Sequence, residues 1–367
     1  MSKDKKFYLY DAAEKVKNKM SVKKKLLITL LVIFIILAIL AVTAFLIIHN
    51  YISKLNIVKD GSYKIIKDIG EDDDLTDEPD SSQEEIDKLN SDIQNNIDSQ
   101  GIMSNKNVIN ILLIGTDSRA DDTRGRSDSM ILVSINKNTK KIIMTSFLRD
   151  MYVAIPGFDN TRLNHSYAYG GPPLLMQTLE QNFKVKIDKY VMVNFFSFVK
   201  VIDSIGGIDI EVTDEEVSYV NLYLELVNSL EGRPYGTGNL TTGGKTHMDG
   251  CQALAYSRIR YLGTDFGRSE RQRKVLEKVF EKAEGLSLSK LDDLLDVILP
   301  LTTTNIQESE IFNLLFHAPS YLKYERVQCR VPQDGTYNGL RVRRMAVLGV
   351  DFNANINYLR DNIYPEQ

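Results

Sequence analysis

Three charged segments recur at points where the hydrophobic patterning of this chain places the ends of strands. They read GTDSRADDTRGRSD at 115–128, FLRD at 147–150 and YSRIRYLGTDFGRSERQR at 256–273. Charged residues make up 26% of the chain, an ordinary share, so their placement and not their number carries information. Arginine presents a planar fork of donors that matches a phosphate, and aspartates hold the Mg²⁺ that commonly accompanies one. Side chains of these types gathered at one rim would handle a phosphorylated substrate.

Chain direction brings the first two segments together. VINILLI at 108–114 reads as a buried strand ending at Gly115, so Asp117 and Arg119 lie beyond its tip. The loop returns through Arg126 and Asp128 into MILVSI at 130–135, and KIIMTSF at 141–147 completes a hairpin. Arg149 and Asp150 therefore reach the edge at which the second strand began. Polar groups carried on loops at strand ends are where sites in α/β folds usually lie.

The remaining elements alternate. Pro172 and Pro173 open a helix through Phe183, a strand follows at 190–195, and a helix at 196–205 is stopped by Gly206 and Gly207. A short strand at 208–212, a helix at 214–230 and a Gly- and Thr-rich loop at 231–246 come next. Helices follow at 249–259, 269–284, 290–299 and 308–316, then a strand at 324–331. Interleaving of this kind predicts a three-layer α-β-α domain of the α/β class around a central mixed sheet. Arg258 and Arg260 alternate, and Asp265 and Arg268 fall in a Gly-flanked loop before a helix starting at Ser269, whose N-terminus favours anions. Ser269 and Gln272 also fit a capping box, so Gln272 has a capping reading beside a ligand-binding one. Arg271 and Arg273 read as solvated charges, and His165, with no partner carboxylate in view, as structural.

Composition bounds the rest. Residues 1–25 hold nine Lys against Asp4, Asp11 and Glu14, and residues 26–48 carry no charge, enough to span a bilayer. The Lys-rich flank predicts a single-pass protein with a cytoplasmic N-terminus and everything after the span outside. Residues 49–106 read as an acidic extracellular linker: 71–100 holds twelve acidic residues and one Lys, a solvated tether by composition. Ile86, Leu89, Ile93 and Ile97 nevertheless fall at helical spacing. Residues 107–367 form the folded domain. Once the two charged ends are set aside it is close to neutral, without the basic excess of a nucleic-acid binder. Cys251 and Cys329 allow at most one disulfide and no metal cluster. No GxSxG elbow or Walker loop occurs.

The motifs GTDSR, RSDSMILVSI, FLRD, LNHSYAYGG, IGGIDIEV and ALAYSRIR…DFGRSERQ together resemble the LytR-CpsA-Psr (LCP) family, from about Asn107 to about Glu284. The resemblance implies a Gram-positive-type, membrane-anchored transferase. Such an enzyme moves a glycopolymer (wall teichoic acid, capsular or related polysaccharide) from a polyprenyl-pyrophosphate carrier to peptidoglycan through a phosphodiester bond. It further implies that Asp117 and Asp128 bind Mg²⁺, or Mn²⁺ in its place. It assigns the phosphates to Arg126, Arg149, Arg258, Arg260 and Arg268, with Gln272 beside them and Arg119 a weaker candidate. One departure is Leu148, where the family motif has Pro. A prenyl tail needs an apolar tunnel, for which Met176, Leu179, Phe183, Val191, Phe195, Phe198 and Val201 are candidates, although such residues also build ordinary cores. Two alternatives stay open on these residues: a hydrolase of the carrier pyrophosphate, and a non-catalytic membrane-anchored regulator that binds prenyl phosphates.

Overall fold

The computed structural model describes residues 43, 45–58, 61–69, 75, 77–99, 101–116, 124–260, 262 and 264–365. The chain divides into two units, residues 1–51 and 52–367; residues 45–51 of the first are helical, and the second carries the fold. The basic tail, most of the apolar run 26–48 and the loop 117–123 lie outside the described residues. Among the described residues, no helix is long and apolar enough to cross a membrane.

In chain order the elements begin β1 (Asn56–Ile57), α1 (Gln83–Ile97), β2 (Val108–Thr116), β3 (Ser127–Asn136), β4 (Lys141–Phe147), β5 (Tyr152–Val153) and β6 (Thr161–Arg162). Then come α2 (Leu163–Phe183), β7 (Lys189–Asn194), α3 (Phe195–Ser204), β8 (Ile208–Val212), α4 (Asp214–Leu230), β9 (Gly244–Met248) and α5 (Gly250–Arg258). The chain closes with α6 (Thr264–Glu284), α7 (Leu288–Ile298), β10 (Thr303–Thr304), α8 (Glu308–Tyr321), β11 (Glu325–Val331), β12 (Tyr337–Val342), β13 (Met345–Val350) and α9 (Phe352–Ile363).

The central sheet is mixed, in the order β1-β10-β7-β2-β3-β4-β11. β2, β3 and β4 pair antiparallel as an up-and-down unit, while β7 runs parallel to β2 and β11 parallel to β4. Successive side chains of a strand point to opposite faces, and the two faces here have different fates. Leu112, Ile114, Met130 and Leu132 join the core that α2 and α9 complete with Leu175, Leu179, Phe183, Ile356 and Leu359. Their neighbours Leu113, Ile131, Val191 and Val193 face a cavity walled by α3, α5 and α6. A second core holds those helices to α4 and to the separate β8–β9 ribbon through Ile202, Ile210, Val220, Leu224 and Leu254. The result is an α/β domain with helices on both faces of a mixed sheet.

Several elements depart from the sequence reading. The acidic segment is not a tether throughout: α1 carries a capping box from Ser82 to Glu85, and Leu89 and Ile93 are buried in the main core. The Asn96 amide donates to the Asn182 carbonyl at 2.8 Å, tying α1 to α2. α2 starts at Leu163, nine residues before Pro172, so LNHSYAYGG is its first part. The helix breaks at Gly171, whose φ of 66° and close approach to the Tyr63 ring leave no room for a Cβ. Pro172 and Pro173 then restart it, as expected. α6 begins at Thr264, five residues before Ser269, so neither a capping box nor an anion-binding terminus exists at Ser269. The Gly-rich stretch ends in a strand, β9, and residues 337–350 form a hairpin that the sequence did not disclose. Cys251 and Cys329 are both free and sit in separate cores.

His165 is buried on α2, with its Nδ1 3.1 Å from the Thr161 hydroxyl. Burial and the guanidiniums of Arg162, Arg126, Arg343 and Arg149 push its pKa down from 6.5 to about 3. Between those values the unfolded chain binds a proton that the folded chain refuses, so stability falls as pH drops from 6.5 towards 3. The buried packing of α1 and the neutral state of His165 each make a prediction. Ile93, 1% exposed, should cost about 2–4 kcal/mol of unfolding free energy when replaced by Ala, where a solvated tether would lose nothing. His165→Gln should flatten the acid limb, losing about 2 kcal/mol less than the parent between pH 6.5 and 5 in urea unfolding; identical limbs would refute the neutral-histidine assignment.

Candidate active site

The start of β3 and the turn that leaves β4 place Asp128 and Arg149 side by side at one end of the sheet. Arg149 Nη1 donates to Asp128 Oδ1 at 3.0 Å, with both side chains nearly buried. Behind this pair, Asp150 Oδ1 forms an ion pair with Arg149, 3.4 Å from its Nε, and accepts a hydrogen bond from Arg162 Nη1 at 3.3 Å. Arg162 is only 1% exposed. The order Arg162, Asp150, Arg149, Asp128 thus alternates in charge from the protein interior to the rim.

The second half of the chain supplies the opposite side. α5 starts from a capping box between Asp249 and Gln252 and packs on α3 so closely that a Cβ on Gly250 would lie 2.2 Å from the Val199 carbonyl oxygen. This crossing carries Arg258, the last residue of α5, and Arg260 just beyond it to the rim. Arg260 Nη2 and Arg268 Nη1 each lie 3.9 Å from Asp128 Oδ1. Gln272, one turn after Arg268 on α6, donates to the Asp128 carbonyl at 3.4 Å. Burial raises the proton affinity of the Asp128 carboxylate, but the guanidiniums of Arg268, Arg149, Arg260 and Arg258 outweigh it and hold the pKa at about 2.

These groups form the mouth of a cavity of about 580 Å³. Arg126, Asp128, Arg149, Arg258, Arg260, Arg268 and Gln272 all line it, so the described charged residues expected at the site converge. Inward the lining becomes apolar: Leu113, Ile131 and Val191 from the sheet face Phe198, Val201, Val275, Leu276 and Val279 from the helices. α6 spans both regions. Positions 268, 272, 275, 276 and 279 share one helical stripe that begins with a guanidinium and ends in hydrocarbon. The chemistry of this arrangement is that of an amphiphile with an anionic head.

Of the tunnel candidates, Val191, Phe198 and Val201 line the cavity. Leu179 and Phe183 belong to the core on the opposite sheet face, Met176 packs against that core, and the Phe195 side chain is outside the description. The sequence reading missed Leu276, Val279 and Ile202, whose helical spacing was legible but whose facing partner was not. Arg271 and Arg273 are not solvated. Arg271 Nε pairs with Glu216 at 2.8 Å, and its Nη1 donates to the Ile259 and Leu262 carbonyls. Arg273 Nη1 donates to Ser146 and Ser269, both at 3.0 Å. Both residues therefore lock α6 in place. Asp117 and Arg119 lie outside the described residues, as does the Asp265 side chain. For a divalent cation, Asp128 has the right chemistry, a carboxylate that stays ionised, but among the described residues no group of three or more His, Cys, Asp or Glu gathers around one point.

A family model described as LytR_cpsA_psr family matches residues 74–350. A protein of Oceanobacillus iheyensis named polyisoprenyl-teichoic acid–peptidoglycan teichoic acid transferase TagU is 36% identical over 219 residues, 57% of this chain and 62% of that one. A protein of the same name from Bacillus mycoides is 31% identical over 258 residues, 68% of this chain and 78% of that one. Among solved structures, TagT bound to LIIa-WTA matches with a TM-score of 0.56 at 25% identity, covering 70% of this chain and 90% of TagT. B. subtilis TagV matches with a TM-score of 0.54 at 26% identity, covering 72% of this chain and 100% of TagV. With the model spanning most of the domain and the charged rim intact, the chain belongs to the LytR_cpsA_psr family.

Proposed function

We propose that this protein transfers a glycopolymer of the wall teichoic acid type from a polyprenyl-pyrophosphate carrier to peptidoglycan. The observation that carries this reading is the cavity itself: an apolar chamber with a mouth of five arginines fits a prenyl chain ending in pyrophosphate. The names of the relatives agree, since both are teichoic acid transferases. In this reading the apolar run 26–48 is the anchor that holds the domain at the outer membrane face, where the carrier resides.

The guanidiniums of Arg126, Arg149, Arg258, Arg260 and Arg268 take the pyrophosphate oxygens and neutralise charge as the leaving group departs. A hydroxyl oxygen of the acceptor glycan attacks the phosphorus nearer the donor glycan. The bridging P–O bond breaks, polyprenyl phosphate leaves, and the hydroxyl proton passes to a base. Held at about pKa 2, the Asp128 carboxylate is a poor proton acceptor at neutral pH. We therefore assign it to orienting Arg149, Arg260 and Arg268. With Asp117 it would also hold Mg²⁺, or Mn²⁺, which adds positive charge beside the pyrophosphate. The apolar lining excludes water from the tail side and leaves the head accessible.

The deciding assay incubates the full chain in detergent with a polyprenyl-pyrophosphate-linked saccharide, Mg²⁺ and peptidoglycan oligomers, with products read by mass spectrometry. A phosphodiester-linked conjugate is expected; free sugar phosphate without conjugate would instead support a hydrolase, and tight lipid binding without turnover a regulator. Arg149→Lys keeps the charge but loses the fork, and it should lower kcat/KM by about 10²–10³. Val279→Trp should fill the chamber and raise KM for long-tailed donors more than for short-tailed ones; equal effects on both would contradict the tail's assignment to this cavity.

A further inference from the structure

The chamber has a direction across the sheet. Its charged mouth lies at β3 and β4, while Val191 and Val193 of β7, Ile298 of α7 and Thr302 just before β10 line it further along. In the strand order it therefore runs from the site arginines towards β1, the edge strand. The chain enters the fold at that same edge. Ile52 is buried, Lys54 pairs with Asp296 of α7 at 2.5 Å, and Asn56 donates its N–H to the Thr302 carbonyl at 3.1 Å. The apolar run 26–48 ends four residues before Ile52, a reach of at most about 14 Å. A bilayer that holds this run is thus kept close to the apolar end of the chamber and not to the arginine mouth.

α4 carries an apolar flank that no other element covers among the described residues. It buries Val220, Leu224 and Val227, and Tyr223 lines the chamber. Leu226 lies about 60° around the helix from Tyr223, with Leu222 one turn before it. These two leucines are 43% and 60% exposed. The Glu225 carboxylate turns to the following loop, accepting the Gly236 N–H at 3.0 Å, and so holds the exposed Tyr235 near the same part of α4. Leucines beside a tyrosine suit a bilayer surface, aliphatic side chains in hydrocarbon and a phenol at headgroup depth. The patch is small for a protein partner, since a stable interface takes about 800 Å² from each side. A chain already tethered to the bilayer needs only such a modest contact, because the tether supplies a high local concentration.

We propose that Leu222, Leu226 and Tyr235 form a lip that rests in the surface of a lipid bilayer and opens the apolar end of the chamber onto it. The inference rests on the proposed function for the anchor and the prenyl donor, but lipid contact can be measured without any reaction. The chain contains no tryptophan, so an introduced one reports its own surroundings. The test places the full chain carrying Leu222→Trp in phosphatidylcholine nanodiscs, with and without lipid brominated on its acyl chains. Bromine quenches only on contact, and this tryptophan should lose most of its emission. Phe316→Trp is the reference: it is exposed on α8, which leads to β11 at the opposite sheet edge, and its emission should hold. Emission at Leu222→Trp that bromine leaves unchanged overturns the lip; if it is also blue-shifted, a protein partner or a second copy covers the patch instead. Equal quenching at both positions overturns it too, as indiscriminate contact. Leu222→Glu with Leu226→Glu should raise KM for a long-tailed donor in nanodiscs about tenfold, the scale of losing one modest apolar contact. KM for a short-tailed donor in detergent should hold, and equal effects on both donors count against the lip. Quenching without transfer product keeps the lip and removes the transferase reading, whereas transfer without quenching keeps the transferase and removes the lip.

Discussion

Everything at the proposed active site depends on one electrostatic compromise, the carboxylate of Asp128 among four guanidiniums. Nearly buried like charges repel strongly, and five arginines at one cavity mouth could not be held there by packing alone. Asp128 from the rim and Asp150 from behind supply the opposing charge, and the buried Arg162 fixes Asp150. Among the described residues that line the mouth, Asp128 is the one carboxylate beside five guanidiniums, a set suited to an anionic head group.

The same compromise explains the framework. Asp128 and Arg149 are neighbours only because β3 and β4 form a tight hairpin whose open end brings them together. Arg268 and Gln272 reach them only because α6 is locked by Arg271 to Glu216 and by Arg273 to Ser146. Glu216 in turn closes the capping box of α4, so the second core, the helix start and the site share one residue. Breaking that ion pair would strand a buried charge and release α6 together with its two site residues.

The hairpin and its charged rim were legible because alternation and chain direction are local properties, and Arg126, Asp128 and Arg149 follow from them. The motif resemblance named Arg258, Arg260, Arg268 and Gln272. What escaped was set by tertiary contact. Gly267 suggested a loop, yet it sits within α6, where a Cβ would lie 2.5 Å from the Leu262 carbonyl oxygen; the glycine serves close approach and not a turn. The string of carboxylates around Leu89 and Ile93 suggested a tether, because nothing in the sequence reveals that a core is waiting for those two side chains. Arg271 and Arg273 looked solvated for the same reason, since their partners lie 55 and 127 residues away.

The stripe along α6 has a length as well as a polarity. From Arg268 to Phe280 it spans about 18 Å at 1.5 Å per residue, and Phe280, at its far end, is 39% exposed. For a polyprenyl donor this makes the chamber a partial sheath. Each methylene withdrawn from a bilayer loses about 0.8 kcal/mol, so extracting a whole tail would be prohibitive unless every carbon were covered again. Under the proposed function, a chamber of this depth would shelter the head-proximal isoprene units and let the remainder pass Phe280. The protein would then work on a carrier that stays partly dissolved in its membrane, and one chamber would serve carriers of different length.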